Sequence, residues 1–377
     1  MISKRRTNRI RFTWLFALVA VVALFAASCS SDSDTAATDD TKADATTTTA
    51  AAAGAAPSDA DIKALTTSVA GGGASFPDAF YQAVNTDFNG VAGTERVTYA
   101  KSGSSDGRAQ LIAGTVDYAG SDSLPKDTEV FPGTVLFFPT VAAPITVSYN
   151  LSGVEKLQLS PDVLAGIFSA QITTWDDAKI AADNPDAKLP STPITVVHRS
   201  DGSGTTNNLT KYLTAASPTV WTLASGDEVN WPASTQGAEK NSGVAEVIKQ
   251  TDGAVGYIDL ADAGKAGLSF AAIQNSSGDF IQPSVEGVQA ALEGADVAPN
   301  LTYNPLNGSD PAAYPITAPT WLLVIKEQTD AAKAATIKTY LQYVLTTGQE
   351  EASKTGYVAL PESLAEQAIE QIDQIQG

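Results

Sequence analysis

His198-Arg199-Ser200-Asp201-Gly202-Ser203-Gly204-Thr205-Thr206 is the stretch that decides how this 377-residue chain is read. It follows a strand-like run, Ile194 to Val197, and precedes a helix-like run, Asn207 to Leu213, so it reads as a glycine-rich loop delivering backbone onto a helix N-terminus. The first N–H groups of a helix lack internal partners and carry the positive end of its dipole, so a small oxyanion can take the place of those partners. Gly202 and Gly204 permit close approach of the main chain, and Ser203 and Thr205 add hydroxyl donors. Arg199 offers a planar fork matched to tetrahedral oxygens. An ordinary helix cap beside a surface ion pair would use the same residue types. Recurrence separates the two readings.

The motif recurs twice. Leu65 to Ala70 reads as a strand, followed by Gly71-Gly72-Gly73-Ala74-Ser75-Phe76-Pro77 and by Phe80, Tyr81, Val84 and Phe88 at helical spacing. Arg96 to Ala100 reads as a strand, followed by Ser102-Gly103-Ser104-Ser105-Asp106-Gly107 and a helix through Ala109, Leu111 and Ile112. Val116 to Asp122 reads as a short strand ending in a carboxylate, and 134–138, 145–149, 254–258 and 321–325 read as further strands. Helices are expected over 161–168, 242–250, 329–346 and 361–376, while 299–319 reads as surface loop. Strands alternating with helices favour an α/β architecture rich in parallel pairing, where ligands lie beyond the carboxyl ends of strands. The three glycine turns and Asp122 therefore fall on one functional edge.

Residues 1–28 form an export signal: Lys4, Arg5, Arg6, Arg9 and Arg11, then an apolar run from Phe12 to Ala27, then small residues before Cys29. The run is short for a membrane span. Cys29 is the chain's only cysteine, so no disulfide forms within it. Ser30 to about Ala60 lacks the apolar residues needed to fold and reads as a flexible tether. Losing the five basic residues of the signal moves the formal charge from −19 to −24. Phosphate-backbone binders need a basic face, which argues against nucleic acid as a partner. Because screening acts within about 8 Å at physiological salt, an acidic surface does not forbid an anion site built from local dipoles.

With His198 the sole histidine and Cys29 the sole cysteine, zinc sites of the usual His/Cys type are excluded. His198 lies five residues before Ser203 with no nucleophile elbow around that serine, so the histidine is read as structural. Asp176-Asp177 reads as a helix start after Trp175. The loops instead supply what an anion binder needs. In such a site Asp122 is an acceptor, so it would repel a fully deprotonated oxyanion but accept a hydrogen bond from HPO4(2−) or H2PO4(−); sulfate has no proton to give. A site built around an O–H partner rejects an analogue lacking it by about 10^4 to 10^5, which makes Asp122 the expected selectivity element. Alternatively, Asp122 caps the next helix near Lys126.

At these residues the chain resembles the substrate-binding lipoproteins of the high-affinity phosphate ABC importer, the Pst system. The resemblance runs from about Leu65 to Ile369. It rests on Gly71–Pro77, Gly103-Ser104-Ser105, Val116-Asp117-Tyr118 through Ser121-Asp122, Trp175-Asp176-Asp177, Arg199–Thr205, Gly253-Ala254-Val255-Gly256-Tyr257 and Pro315-Ile316-Thr317. It implies a two-lobed α/β periplasmic-binding-protein fold of type II, with mixed, mainly parallel sheets and a hinge of crossing strands that closes over ligand. The crossings would fall near 143–147 and 320–323. The lobes would comprise 63–145 plus 321–377, and 146–320, behind a 29–62 tether. Phosphate would be held by Ser75, Phe76, Ser104, Asp122, Arg199, Ser203, Gly204 and Thr205, with Asp201 holding Arg199. Ser75 replaces the family's common threonine, and His198 stands where an arginine is often found. Ala26-Ala27-Ser28-Cys29 resembles a bacterial lipobox, with Ala26 where leucine is usual, which implies acylation of Cys29 and anchoring outside the cytoplasmic membrane. The resemblance implies a monomeric receptor without cofactor or catalysis that delivers phosphate to membrane permease subunits. The alternatives are a receptor of the same fold for another oxyanion, and a phosphate-ester hydrolase.

Overall fold

The computed structural model describes residues 54–377. The export signal, Cys29 and nearly all of the tether lie outside the described residues. Order begins before the expected start of the folded part: helix Asp59–Ala64 is closed by a capping box, with Ser58 and Asp61 exchanging side-chain bonds to backbone, and it buries Ile62.

One sheet path threads the molecule in the order Val97–Lys101, Val69–Gly73, Tyr118–Ser121, Thr317–Ile325, Val135–Asn150, Ala254–Asp259, Thr195–Arg199, Gln236–Ala238. The outer pairs are parallel and the central ones antiparallel, so the sheets are mixed. The organising element is the strand Val135–Asn150, which joins the two runs read separately from the sequence. Its first part, to Pro144, pairs with Thr317–Ile325, and from Ile145 onward it pairs with Ala254–Asp259. Two lobes thus share one strand. The Tyr314 hydroxyl donates to the Ile145 carbonyl at 2.8 Å at the changeover, inside the stretch 299–319 that the sequence reads as surface loop. Tyr314 and Ile316 there are fully buried.

Helix Asp78–Ala92 buries Phe80, Tyr81, Val84 and Phe88, the face its spacing announced, each such side chain stabilising by about 1.5 to 3 kcal/mol. It ends at Gly93, whose φ of 71° supplies the left-handed turn. The main departure from the sequence reading lies just upstream. The strand runs Val69–Gly73, so the three glycines belong to the strand and not to a loop. The reason is packing: Gly73 has φ 137°, and a Cβ there would lie 2.2 Å from the Gly120 carbonyl oxygen, while one on Gly107 would lie 2.4 Å from Gly73 Cα. The glycines let helix Ser104–Ile112 press onto two strands.

Candidate functional site

Four helices begin at one buried locus: Asp78–Ala92, Ser104–Ile112, Gly204–Ala216 and Lys240–Gln250. The third starts three residues earlier than its apolar pattern suggests, because the Ser203 hydroxyl accepts the Thr206 N–H at 3.2 Å and caps it. Gly204 and Thr205 consequently sit in the first helical turn.

Two linked networks hold the residues the sequence singled out. In the first, Ser104 Oγ accepts the backbone N–H groups of both Asp122 and Gly204, each at 3.2 Å, and donates to Asp122 Oδ2 at 3.5 Å. The other carboxylate oxygen, Oδ1, accepts from Thr320 Oγ1 at 2.7 Å. Asn208, one turn into the helix, donates to the Asp122 carbonyl at 2.6 Å and to that of Gly204 at 2.9 Å. In the second network Arg199 gives two parallel bonds to Asp201, one from Nε to Oδ1 at 2.7 Å and one from NH2 to Oδ2, and a third from NH1 to Asn241 Oδ1 at 2.7 Å. Asn241 also accepts from Thr205 Oγ1 at 3.3 Å, and its backbone N–H reaches across the lobes to Ser75 Oγ at 3.2 Å. The orientation of the Asn241 amide is fixed because its NH2 donates to Asp259 Oδ2 at 2.7 Å. Arg199 spends three N–H groups on protein, and its guanidinium carries five.

Ser75, Ser104, Asp122, Arg199 and Thr205 are therefore brought together, all buried. Phe76 follows Ser75 in the chain; its carbonyl accepts the Tyr357 hydroxyl at 2.6 Å and its ring packs edge-on to Tyr357. Ser203 contributes its oxygen to the helix cap and keeps its O–H to give. His198 stacks on Trp231 at 4.9 Å, with Nδ1 2.9 Å from the Arg199 carbonyl oxygen, and burial lowers its pKa, so it supports the strand as a neutral ring. Asp177 caps helix Ala178–Asp183.

Burial pushes the Asp122 carboxyl up to about 7; Thr320, Arg199 and Ser104 pull it down, and the charge of Asp227 adds to the rise. Burial would likewise raise Asp201, but the bonds and charge of Arg199 hold it below the usual carboxylate range. The locus thus contains one committed ion pair and one carboxyl that exchanges its proton near neutrality. Among the described residues no group of three or more His, Cys, Asp or Glu side chains is placed to hold a metal.

Sequence reading missed Asn241, Asn208 and Thr320. Asn241 follows Lys240, a non-glycine residue at φ 63°, and although Ser242 and Gly243 come next, no apolar strand-like run leads into them, so the sequence reads a helix only from 242. Asn208 had a signal: it stands four residues after Gly204, on the same helical face.

A family model described as PBP superfamily domain matches residues 35–347. The phosphate-binding protein PstS of Xylella fastidiosa strain 9a5c is 36% identical over 278 residues, covering 72% of this chain and 76% of its own length. The protein of the same name from Pasteurella multocida is 34% identical over 275 residues, covering 71% and 79%. Among solved structures, a high-affinity periplasmic phosphate-binding protein bound with phosphate superposes with TM-score 0.66 at 24% identity, over 79% of this chain and 92% of that one. Its likeness is one of fold, a two-lobed α/β clamp. With the family model spanning most of the chain and relatives 34 and 36% identical over three quarters or more of their own length, the chain belongs to the PBP superfamily and, within it, to the phosphate-binding PstS proteins.

Proposed function

We propose that this chain is an extracytoplasmic receptor that captures inorganic phosphate between its lobes and delivers it to an ABC transporter. The observation that carries the reading is the meeting of Arg199 and Asp122 in one buried locus ringed by helix starts and hydroxyls. A committed cation beside a carboxyl that exchanges its proton near pH 7 suits an oxyanion that brings its own proton. In this reading Ser75, Phe76, Ser104, Arg199, Ser203, Gly204 and Thr205 donate to phosphate, Asp122 accepts its proton, and Asp201 with Asn241 aims Arg199.

The lobes are assigned to 63–145 plus 321–377 and to 146–320, with the shared strand as hinge. Cys29 is assigned as the acylated residue, anchoring a monomeric receptor to the outer face of the cytoplasmic membrane, where it meets the permease subunits. The family is one of substrate-binding receptors, and the single histidine is engaged with Trp231 and the Arg199 carbonyl, which speaks against its serving as a base in ester hydrolysis. Isothermal titration tests the proposal: one inorganic phosphate per chain, negligible sulfate, and no turnover of a chromogenic phosphate ester. Turnover that depended on Ser203, or sulfate binding equal to phosphate at pH 8, would overturn it.

A further inference from the structure

Arg108, on the helix that begins at Ser104, has no exposed side-chain surface. On its own lobe it donates to Glu129 at 2.7 and 3.0 Å, to Ser121 Oγ at 2.8 Å and to Ser123 Oγ at 2.9 Å. Its remaining reach goes across the seam, from NH2 to Asp227 Oδ2 at 2.7 Å. Ser105 joins it there: its hydroxyl donates to the same oxygen at 2.8 Å and its backbone N–H to the Gly202 carbonyl at 3.2 Å. Asp227 belongs to the other lobe, on the segment between helix Gly204–Ala216 and strand Gln236–Ala238. Its carbonyl accepts the Ser203 N–H at 3.0 Å, so it is tied to the turn that presents Gly204 and Thr205. Trp231, stacked on His198 and Tyr257, pins the same segment to its own lobe.

We propose that Arg108 and Asp227 are an interlobe clasp that sets how long phosphate is retained: a further pair of affinity-determining residues that act on closure and not on the ligand itself. This rests on the phosphate-receptor reading. The asymmetry of the pair makes it a clasp and not a permanent staple. When the lobes part, Arg108 keeps Glu129, Ser121 and Ser123, so no buried charge is stranded on that side. Asp227, which has one carboxylate oxygen without a hydrogen-bond partner even in the closed arrangement, gains water. Truncating the arginine leaves Asp227 buried and unpaired when closed, which opening relieves. Loss of either partner of the clasp therefore acts on release and leaves the encounter with phosphate alone. Asp227 also lies near enough to Asp122 for its charge to raise that carboxyl, so the clasp and the ligand locus are electrostatically joined.

The test uses the full chain with Cys29→Ala and with spin labels on cysteines replacing Thr94 and Lys188, which are exposed on opposite lobes. Asp227→Asn should speed phosphate release about tenfold in stopped flow, with the association rate within about twofold of wild type. Arg108→Met should act in the same direction and further. Without phosphate both variants should lengthen the interlabel distance; with saturating phosphate the distance should return to the wild-type value. Release rates within about twofold of wild type, together with superposable phosphate-free distances, would overturn the clasp. Should either variant fail to fold, Ser105→Ala removes a single hydroxyl from the same carboxylate and is expected to speed release about threefold; an unchanged rate would refute the proposal. A wild-type chain that binds no phosphate, yet opens on Asp227→Asn, would sink the receptor reading and leave the clasp standing.

Discussion

The backbone N–H of Gly204 donates to the Ser104 hydroxyl at 3.2 Å, joining the first residues of two helices that lie 100 positions apart in the chain. Nothing but glycine fits this approach, since a Cβ on residue 204 would lie 2.6 Å from Ser104 Oγ and 2.7 Å from Asp122 Cβ. The contact makes closure sensitive to one methyl group.

Gly204→Ala should therefore hold the lobes apart without harming either. Alanine is the better helix former by about 1 kcal/mol, so the melting temperature should stay close to wild type. Phosphate affinity by titration calorimetry should fall at least about tenfold, the cost of roughly 1.4 kcal/mol in closure. Unchanged affinity would mean the seam relaxes around the methyl.

Selectivity should depend on the protonation of Asp122. With the carboxyl near 7, it is charged at pH 8 and rejects sulfate, whereas at pH 5.5 it carries a proton it can donate to sulfate. Competition titrations should show sulfate binding strengthening as pH falls through 7, against a preference for phosphate of about 10^4 to 10^5 at pH 8. Asp122→Asn should bind sulfate measurably and independently of pH.

Asn241 aims the guanidinium and bridges to Ser75, so its loss should weaken phosphate binding while leaving the ligand's direct partners in place. Asn241→Ala is expected to cost about 1.5 to 3 kcal/mol in binding, the worth of a hydrogen bond to a charged group. Arg199→Lys should cost at least as much, because an ammonium cannot reproduce the two parallel bonds to Asp201. Calorimetry on both variants checks this; wild-type affinity in Arg199→Lys would rule out the fork geometry as a determinant.

The stability contributed by two buried carboxyls should fall as pH rises. The Asp122 carboxyl is raised by burial, and that of Asp259 is raised by burial and by the nearby charge of Asp262. A carboxyl whose folded pKa lies above its unfolded value favours the folded state fully below the unfolded pKa and loses that contribution as pH climbs through the folded one. For Asp122 the loss runs from about pH 4 to beyond pH 7, and its span of three pKa units is worth on the order of 4 kcal/mol. Asp122→Asn should raise the melting temperature by several degrees at pH 8 and little at pH 4.

Much of this was legible because the residues proposed to hold phosphate sit at strand ends and helix starts, where hydroxyls, glycines and a lone arginine stand out from apolar runs. Arg199 and Asp122 could be named from type and position, and Ser104 from the family resemblance. What escaped was reach across the fold. Asn241 lies just before the run 242–250 that reads as helix, Thr320 looks like any residue of a buried strand, and the bond between Arg108 and Asp227 spans 119 positions. The glycines of 71–73 misled for a related reason: close packing of helix on strand and close approach to an anion both demand a missing side chain. Only the coordinates distinguish which backbone or ligand fills the gap.

The strand Val135–Asn150 also dictates an order of assembly. The proposed lobe 146–320 is continuous in the chain and, with Ile145–Asn150 already made, can pair that strand with Ala254–Asp259 as soon as it has been synthesised. The other lobe must wait for Thr317–Ile325 to slot between Tyr118–Ser121 and Val135–Pro144, because those two strands are neighbours in the finished sheet only through that late arrival. Until then its first half presents two unzipped edges, the period in which a chaperone would have most to protect.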